Sequence, residues 1–343
     1  MKVLFLVARG MHLGYLGCYG NDWVQTPALD RLAAESIVFD QHFATDVTFE
    51  PVSTPHLRAA WRWDHWATKL QEKGIQTHLL TDREIPAEVL NKLPGSGDWL
   101  VQMELETLLP PWPSISVSQD TEPEARSSKL EVQNSSAKLA LQDSYEEVVA
   151  RLDVEISEIR GALEDIGLLD DVCWILTSDQ GQPVDEERER VPPPPWLHEE
   201  WIHIPLIIRL PAQAQAGRRV AALTQSSDLL LTLLDFQGLS HPPSQSGSLR
   251  PLLEGSQTDP RKQVVAVSSP GGISSWAVRS ADCSILLRLG SEPFDPGRDA
   301  RVYIKPEDRW EVNNVCQHHL DLVDETRQFI EEKIATDSDS LSG

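Results

Sequence analysis

The amino-acid sequence predicts an α/β fold: a doubly wound, mixed but mostly parallel sheet, followed by a small C-terminal α+β unit. Three observations carry that expectation. The runs at residues 3–7 and 172–177 are continuously apolar, the pattern of strands buried on both faces. Between them, Val148, Leu152, Ile156, Ile159, Leu163 and Ile166 recur at spacings of three and four, which places one apolar stripe of a helix on a core. Beyond residue 260, three short strand-like runs follow one another and suggest an antiparallel piece.

The elements follow in order. Residues 3–7 are the opening strand, and Gly10, Gly14, Gly17 and Gly20 mark the loop after it. Thr26 caps a helix with Pro27 at its first position, where the missing N–H costs nothing; Leu29, Leu32 and Ala33 are its apolar side. A short strand is expected at 37–39, a helix at 61–73 stopped by Gly74, and a strand at 77–81. Residues 114–142, polar and rich in Ser and Glu, read as a surface excursion. The periodic helix ends at Gly167 and leads into the strand at 172–177. Residues 185–195 form a charged, then proline-rich loop, and 204–210 a further buried strand. Ser227 and Asp228 cap a helix through Phe236, stopped by Gly238. Strands at 264–267, 275–279 and 285–289 and a helix at 320–334 complete the chain. The expected division is a main unit at 1–255, a small unit at 256–335 and a fraying tail at 336–343.

The chain has 343 residues and a formal net charge of -23. An acidic surface repels nucleic-acid phosphates and anionic membranes, so neither is expected as a partner. Cys18, Cys173, Cys283 and Cys316 match no zinc spacing and read as free thiols of a reducing compartment. The apolar run at 3–7 is too short for a signal segment, Arg9 interrupts it, and no run approaches a membrane span. The expected location is the cytoplasm. Residues 61–66 read as an amphipathic aromatic cluster, and His318 and His319 as surface histidines, since neighbours on a helix face different ways.

Five segments, in order, resemble the sulfatase family. Leu16-Gly17-Cys18-Tyr19-Gly20 and then Thr26-Pro27-Ala28-Leu29-Asp30-Arg31-Leu32-Ala33 resemble its opening signature. Leu168-Leu169-Asp170-Asp171 followed by Thr177-Ser178-Asp179-Gln180-Gly181 is similar to a second signature that usually ends Ser-Asp-His-Gly. Residues 196–210 are similar to the segment whose core is Glu-Glu, a few residues, then Pro-Leu-Ile. Residues 228–239 resemble the family's Asp-Leu-x-Pro-Thr-Leu-Leu-Asp helix, and Ala277-Val278-Arg279 lies where it carries C-terminal strands. The resemblance implies an alkaline phosphatase-like fold. It also implies a hydrolase of sulfuric esters whose formylglycine nucleophile works beside Ca²⁺ or Mg²⁺.

The resemblance locates the departures too. A hard dication needs several oxygen ligands, mostly carboxylates. The family's first strand ends in an Asp pair, which here falls on Arg9 and Gly10. Asp179 keeps the third carboxylate position, and Gln180, a possible oxygen ligand, replaces the usual His or Asn. Arg9 places a fixed positive charge where the cation would sit. At about 4 Å and an effective dielectric of about 20, two like charges cost about 4 kcal/mol. An ion pair of Arg9 with Asp179 is one expectation for this site. Ser53-Thr54-Pro55-His56-Leu57-Arg58 resembles the nucleophile motif Ser-x-Pro-x-Arg with one extra residue, making Ser53 and Arg58 the catalytic candidates. The family's later Gly-Lys-Trp-His stretch has no counterpart.

Three functions are therefore open. The first is a catalytically impaired or inactive homologue, acting as a scaffold or binding module for a protein partner or a small anion. The second is a sulfuric-ester or phosphoester hydrolase with a rebuilt site. The third is a metal-free anion-binding protein using Arg9 and Arg58. Residue chemistry favours the first, with no cofactor.

Overall fold

A computed structural model describes residues 1–47, 67, 70–81, 97–110, 128–184, 196–239, 247–256, 261–268, 273–290 and 293–341. The α/β expectation holds. One seven-stranded sheet contains β1 (Lys2–Ala8), β2 (Ile37–Phe39), β4 (Gln76–Thr81), β5 (Trp99–Leu105), β6 (Val172–Thr177), β7 (Leu206–Arg209) and β8 (Arg219–Val220). Its order is β4-β5-β1-β6-β7-β2-β8. Strands β4, β5, β1 and β6 are parallel, and β7 runs antiparallel to both its neighbours. A minor parallel pair joins β3 (His42–Phe43) to β9 (Thr224–Gln225). A separate antiparallel sheet holds β10 (Gln263–Ser268), β11 (Ser274–Ser280), β12 (Cys283–Leu289) and β13 (Ala300–Ile304) in sequential order.

Each helix covers the face that its apolar residues dictate. Helices α1 (Pro27–Ala34) and α2 (Ser128–Asp165) share one core cluster with one face of the large sheet. Leu29, Leu32, Leu152, Ile159 and Leu163 meet Leu4, Leu6, Trp174 and Leu176 there. Fully burying a side chain of this size contributes about 1.5–3 kcal/mol. The short helix α3 (Glu199–Ile202) leads into β7, and α4 (Ser226–Phe236) covers the opposite sheet face, where Leu229 and Leu233 meet Val3, Phe5 and Ile175. The small sheet lies between two further clusters. One face packs Ala277, Leu286 and Tyr303 on Phe43, Leu197 and Ile204. The other packs Ile285, Leu287 and Val302 on Val323 and Ile330 of α5 (Leu320–Leu341).

Several elements depart from the sequence expectation. Strand β5 was not expected, because Gln102 and Glu104 break its apolar run; both are buried. Strand β13, with Arg301 in a five-residue run, also escaped. Helix α2 begins at Ser128, so the second half of the polar stretch at 114–142 is helical. That half is rich in Lys, Leu, Gln and Ala, which favour helix whatever their polarity. Helix α4 is capped by Gln225, and Asp228 accepts from the Gln225 amide at 2.7 Å, one turn into the helix. Of the helix expected at 61–73, Ala67, Leu70 and Gln71 are helical and Glu72 and Lys73 already form a turn; residues 61–66, 68–69 and the loop at 185–195 lie outside the described residues.

Buried charges join the small sheet to the large one. Asp228, almost fully enclosed, takes both forks of Arg261 at 2.6 and 2.7 Å and accepts from the Gly247 amide at 3.1 Å. Glu199 on α3 meets Arg279 of β11 at 2.7 Å and Lys305 at 3.2 Å. Lys305 also lies 3.4 Å from Glu311, which accepts from the Glu199 amide at 3.1 Å and contacts His198 at 2.7 Å. Burial alone would raise both carboxyls. For Glu199, His203, Lys305 and Arg279 reverse this and hold the pKa well below its usual value. For Glu311, His198 and Lys305 do the same.

Two outcomes are expected. Replacing Asp228 by Ala strands the Arg261 charge and costs about 3 kcal/mol in urea unfolding. The second concerns pH. A carboxyl with a depressed folded pKa contributes stability above its unfolded value, about 4.3, and loses it as pH falls toward the folded value. Glu311→Gln is therefore markedly less stable than wild type at pH 7, and the gap narrows below about pH 4. Urea midpoints at the two pH values measure this.

Candidate functional site

The parallel register of the large sheet sets the site. Ala8 pairs with Leu105 and Val7 with Thr177, so β1, β5 and β6 end along one edge. The next residues, Arg9, Glu106 and Ser178-Asp179, therefore emerge side by side. This edge also lies where the chain leaves β1 for either side of the sheet, the usual place for a ligand crevice in such folds.

Arg9 and Asp179 form an ion pair. Arg9 Nε donates to Asp179 Oδ2 at 2.9 Å, and Arg9 Nη1 to Glu106 Oε1 at 3.1 Å. The other Asp179 oxygen, Oδ1, accepts from the Gly10 amide at 3.1 Å and the Gln180 amide at 2.8 Å. Arg9 is 91% enclosed, which strengthens the pairing relative to a surface pair. Ser178 Oγ accepts from the Met11 amide at 3.1 Å and donates to the Gln180 carbonyl at 2.6 Å. Tyr145 of α2 fixes the loop after β1: its hydroxyl donates to the Gly10 carbonyl at 2.7 Å and accepts from the His12 amide at 2.8 Å.

Two glycines show how the backbone commits to this arrangement. Gly10 has φ 74°, the left-handed region that a β-carbon disfavours. A side chain at Gly181 would place its Cβ 2.0 Å from the Glu200 carbonyl oxygen, so only glycine allows that approach.

These residues do not fit a hard dication. Position 10 carries no ligand, position 9 is a cation, and both Asp179 oxygens are already engaged. Among the described residues, no group of three or more His, Cys, Asp or Glu side chains is gathered for a metal. Ser53 and Arg58 lie outside the described residues, so the Arg9–Asp179 pair is the part of the expected constellation that the structure brings together. His318 is exposed on the surface, as expected.

A pocket enclosing about 460 Å³, open mouth included, adjoins the loop after β1. His12, Glu199, Glu200, His203, Arg309 and Trp310 line it. Burial, with a smaller contribution from His203, lowers the His12 pKa to about 4, so the ring is neutral near pH 7. Its Nδ1 accepts from the Gly14 amide at 2.9 Å, which leaves the proton on Nε2. His203 donates Nε2–H to the Asp40 carbonyl at 2.9 Å and stacks on Phe43 at 4.7 Å. Trp310, 59% exposed, forms the lip, with the Arg309 guanidinium 5.1 Å from its ring. Sequence reasoning missed Glu106, His12, Tyr145 and this lip. Glu106 follows the unrecognised strand β5, and no local pattern marks the others.

Known proteins share parts of this sequence and its fold. Residues 111–239 match the sulfatase family model. The chain is 35% identical over 116 residues to an N-acetylglucosamine-6-O-sulfatase of Bacteroides thetaiotaomicron, covering 32% of this chain and 20% of that protein. It is 30% identical over 144 residues to arylsulfatase K of Xenopus laevis, covering 42% and 26%. The matched segment thus spans about a quarter or less of these relatives. Among solved structures, a protein in complex with its substrate D-glucosamine-2-N,6-O-disulfate superposes with TM-score 0.71 at 18% identity, covering 97% of both chains. The phosphonate monoester hydrolase of Agrobacterium radiobacter gives 0.70 at 17%, covering 97% and 95%. At such identities these likenesses concern the fold. Residues 111–239 thus match the sulfatase family model, and the chain shares its fold with these solved structures.

Proposed function

We propose that this sulfatase-family chain no longer hydrolyses esters and instead serves as a binding module. The observation that supports this reading is the Arg9–Asp179 pair. In the resemblance, Asp179 is the surviving metal ligand and position 9 a lost one. Here a guanidinium supplies the positive charge beside Asp179, and two backbone amides hold its second oxygen. Without a dication, no residue among those described at the strand ends polarises an ester or holds an attacking oxygen, and those are the contributions that make the reaction fast.

The pocket beside this pair supplies a binding surface. Trp310 offers an apolar ring face, Arg309 a positive charge, and the neutral His12 a ring N–H. A small carbohydrate matches the ring face and the ring N–H; with Glu199, Glu200 and Glu311 also in the lining, an anionic substituent fits only at the Arg309 guanidinium. The sulfated-sugar chemistry in the names of two similar proteins points to the same class.

The decisive experiment is to purify the protein, measure bound Ca²⁺ and Mg²⁺, and assay aryl sulfate and aryl phosphate turnover beside an Asp179→Ala variant. The expected result is substoichiometric metal and equal, background turnover in both proteins. One equivalent of metal, with turnover that Asp179→Ala abolishes, would overturn the reading.

A further inference from the structure

Most enclosed arginines in the described residues meet a carboxylate. Arg9 meets Asp179, Arg160 and Arg209 meet Glu35, Arg261 meets Asp228 and Arg279 meets Glu199, at 2.6–3.2 Å. Such pairing is what burial of a fixed charge demands.

Arg288 departs from that pattern. Its Nε and Nη2 are shut off from solvent and have no hydrogen-bond partner among the described residues. The guanidinium lies 4.0 Å from the centre of the Trp196 ring, and that of Arg301 lies 4.7 Å from the same ring. Among the described residues, Arg301 donates only through Nη1, to the Ala300 carbonyl at 3.0 Å and, weakly, to the Gly297 carbonyl at 3.4 Å. Among the described residues, no carboxylate forms an ion pair with either guanidinium. The nearby Asp299 already accepts from Arg298 Nε at 2.9 Å, Arg298 Nη2 at 2.7 Å and the Asp295 amide at 3.0 Å.

Sheet register explains why the two arginines converge. Arg301 pairs with Leu286, two residues before Arg288 on the adjacent strand, so both side chains project from one face. This is the inner face, which packs on the large sheet's side of the molecule through Leu286 and Tyr303. Burial, and then the Arg301 charge, lower the Arg288 pKa, and the charge of Asp299 offsets only part of this. In a chain of net charge -23, two neighbouring guanidiniums with no ion pair among the described residues are not a by-product of surplus positive charge.

We propose that Arg288 and Arg301 form a binding site for a tetrahedral oxyanion, sulfate or phosphate, free or as a monoester, beside the Trp196 ring. Two cations call for a dianion, and the idle N–H groups of Arg288 are the donors that a sulfuryl or phosphoryl group accepts from. Trp196 holds the guanidinium planes by cation–π contact and reports on occupancy. This site stands apart from the Arg9–Asp179 pair and does not depend on the reading of that pair.

Titration with inorganic sulfate and, separately, inorganic phosphate at constant ionic strength tests the proposal, followed by tryptophan fluorescence. Wild-type protein gives a saturable change with at least one of the two. Arg301→Gln and Arg288→Gln each weaken it by about tenfold or more, while Arg151→Gln, at an exposed arginine of α2, leaves it unchanged. Arg301 keeps its contacts to the Ala300 and Gly297 carbonyls through Nη1 alone, so its variant preserves the test if Arg288→Gln does not fold. A linear, non-saturating response of the wild type overturns the proposal. So does equal affinity in the folded variants, or loss of binding in Arg9→Gln alone, which would put the anion at the strand ends.

Discussion

Arg9 and Asp179 meet because β1 and β6 run parallel and in register, so the residues leaving the two strands share one edge of the sheet. The loops around that edge are arranged about this pair. The Gly10 and Gln180 amides point at Asp179, Glu106 takes the second fork of Arg9, and Tyr145 ties the β1 loop to α2. Removing Arg9 would leave Asp179 without a cation, and removing Asp179 would leave Arg9 with Glu106 alone; either costs more than the pair contributes. The arrangement is therefore self-supporting, with the positive charge supplied by the chain itself.

The same economy of charge recurs in the body of the protein. Asp228 with Arg261 and the Glu199–Arg279–Lys305–Glu311 group join the small sheet to the large one, with every carboxylate facing a cation. Apolar clusters supply the bulk of the packing on either side. The charged groups fix how the small sheet sits on them, because a displaced sheet would leave several charges enclosed and unpaired. Arg288 and Arg301 stand out against that background.

What could be read in the sequence followed from local pattern. The runs at 3–7 and 172–177 are unmistakable, since a strand buried on both faces needs no polar residue. The stripe from Val148 to Ile166 marked the packed part of α2 but not its start, because residues 128–141 carry no such periodicity. Gln102 and Glu104 hid β5, and with it Glu106, the second partner of Arg9. Arg9 itself was legible only through the resemblance, which aligned it with a ligand position. The contacts of Tyr145, His203 and Trp196 join segments far apart in the chain and leave no trace in local sequence. The left-handed backbone at Gly10 was invisible too; it means that restoring a carboxylate there would meet conformational strain as well as the charge of Arg9.

The central claim is that the Arg9 guanidinium occupies the place of a cation beside Asp179. A crystal structure of the protein grown with excess Ca²⁺, with an anomalous difference map, tests it most directly. The account predicts Arg9 Nε within hydrogen-bond distance of Asp179 and no anomalous peak on that carboxylate. A calcium peak bridging Asp179 and the Gln180 side chain, with Arg9 turned away, would contradict it.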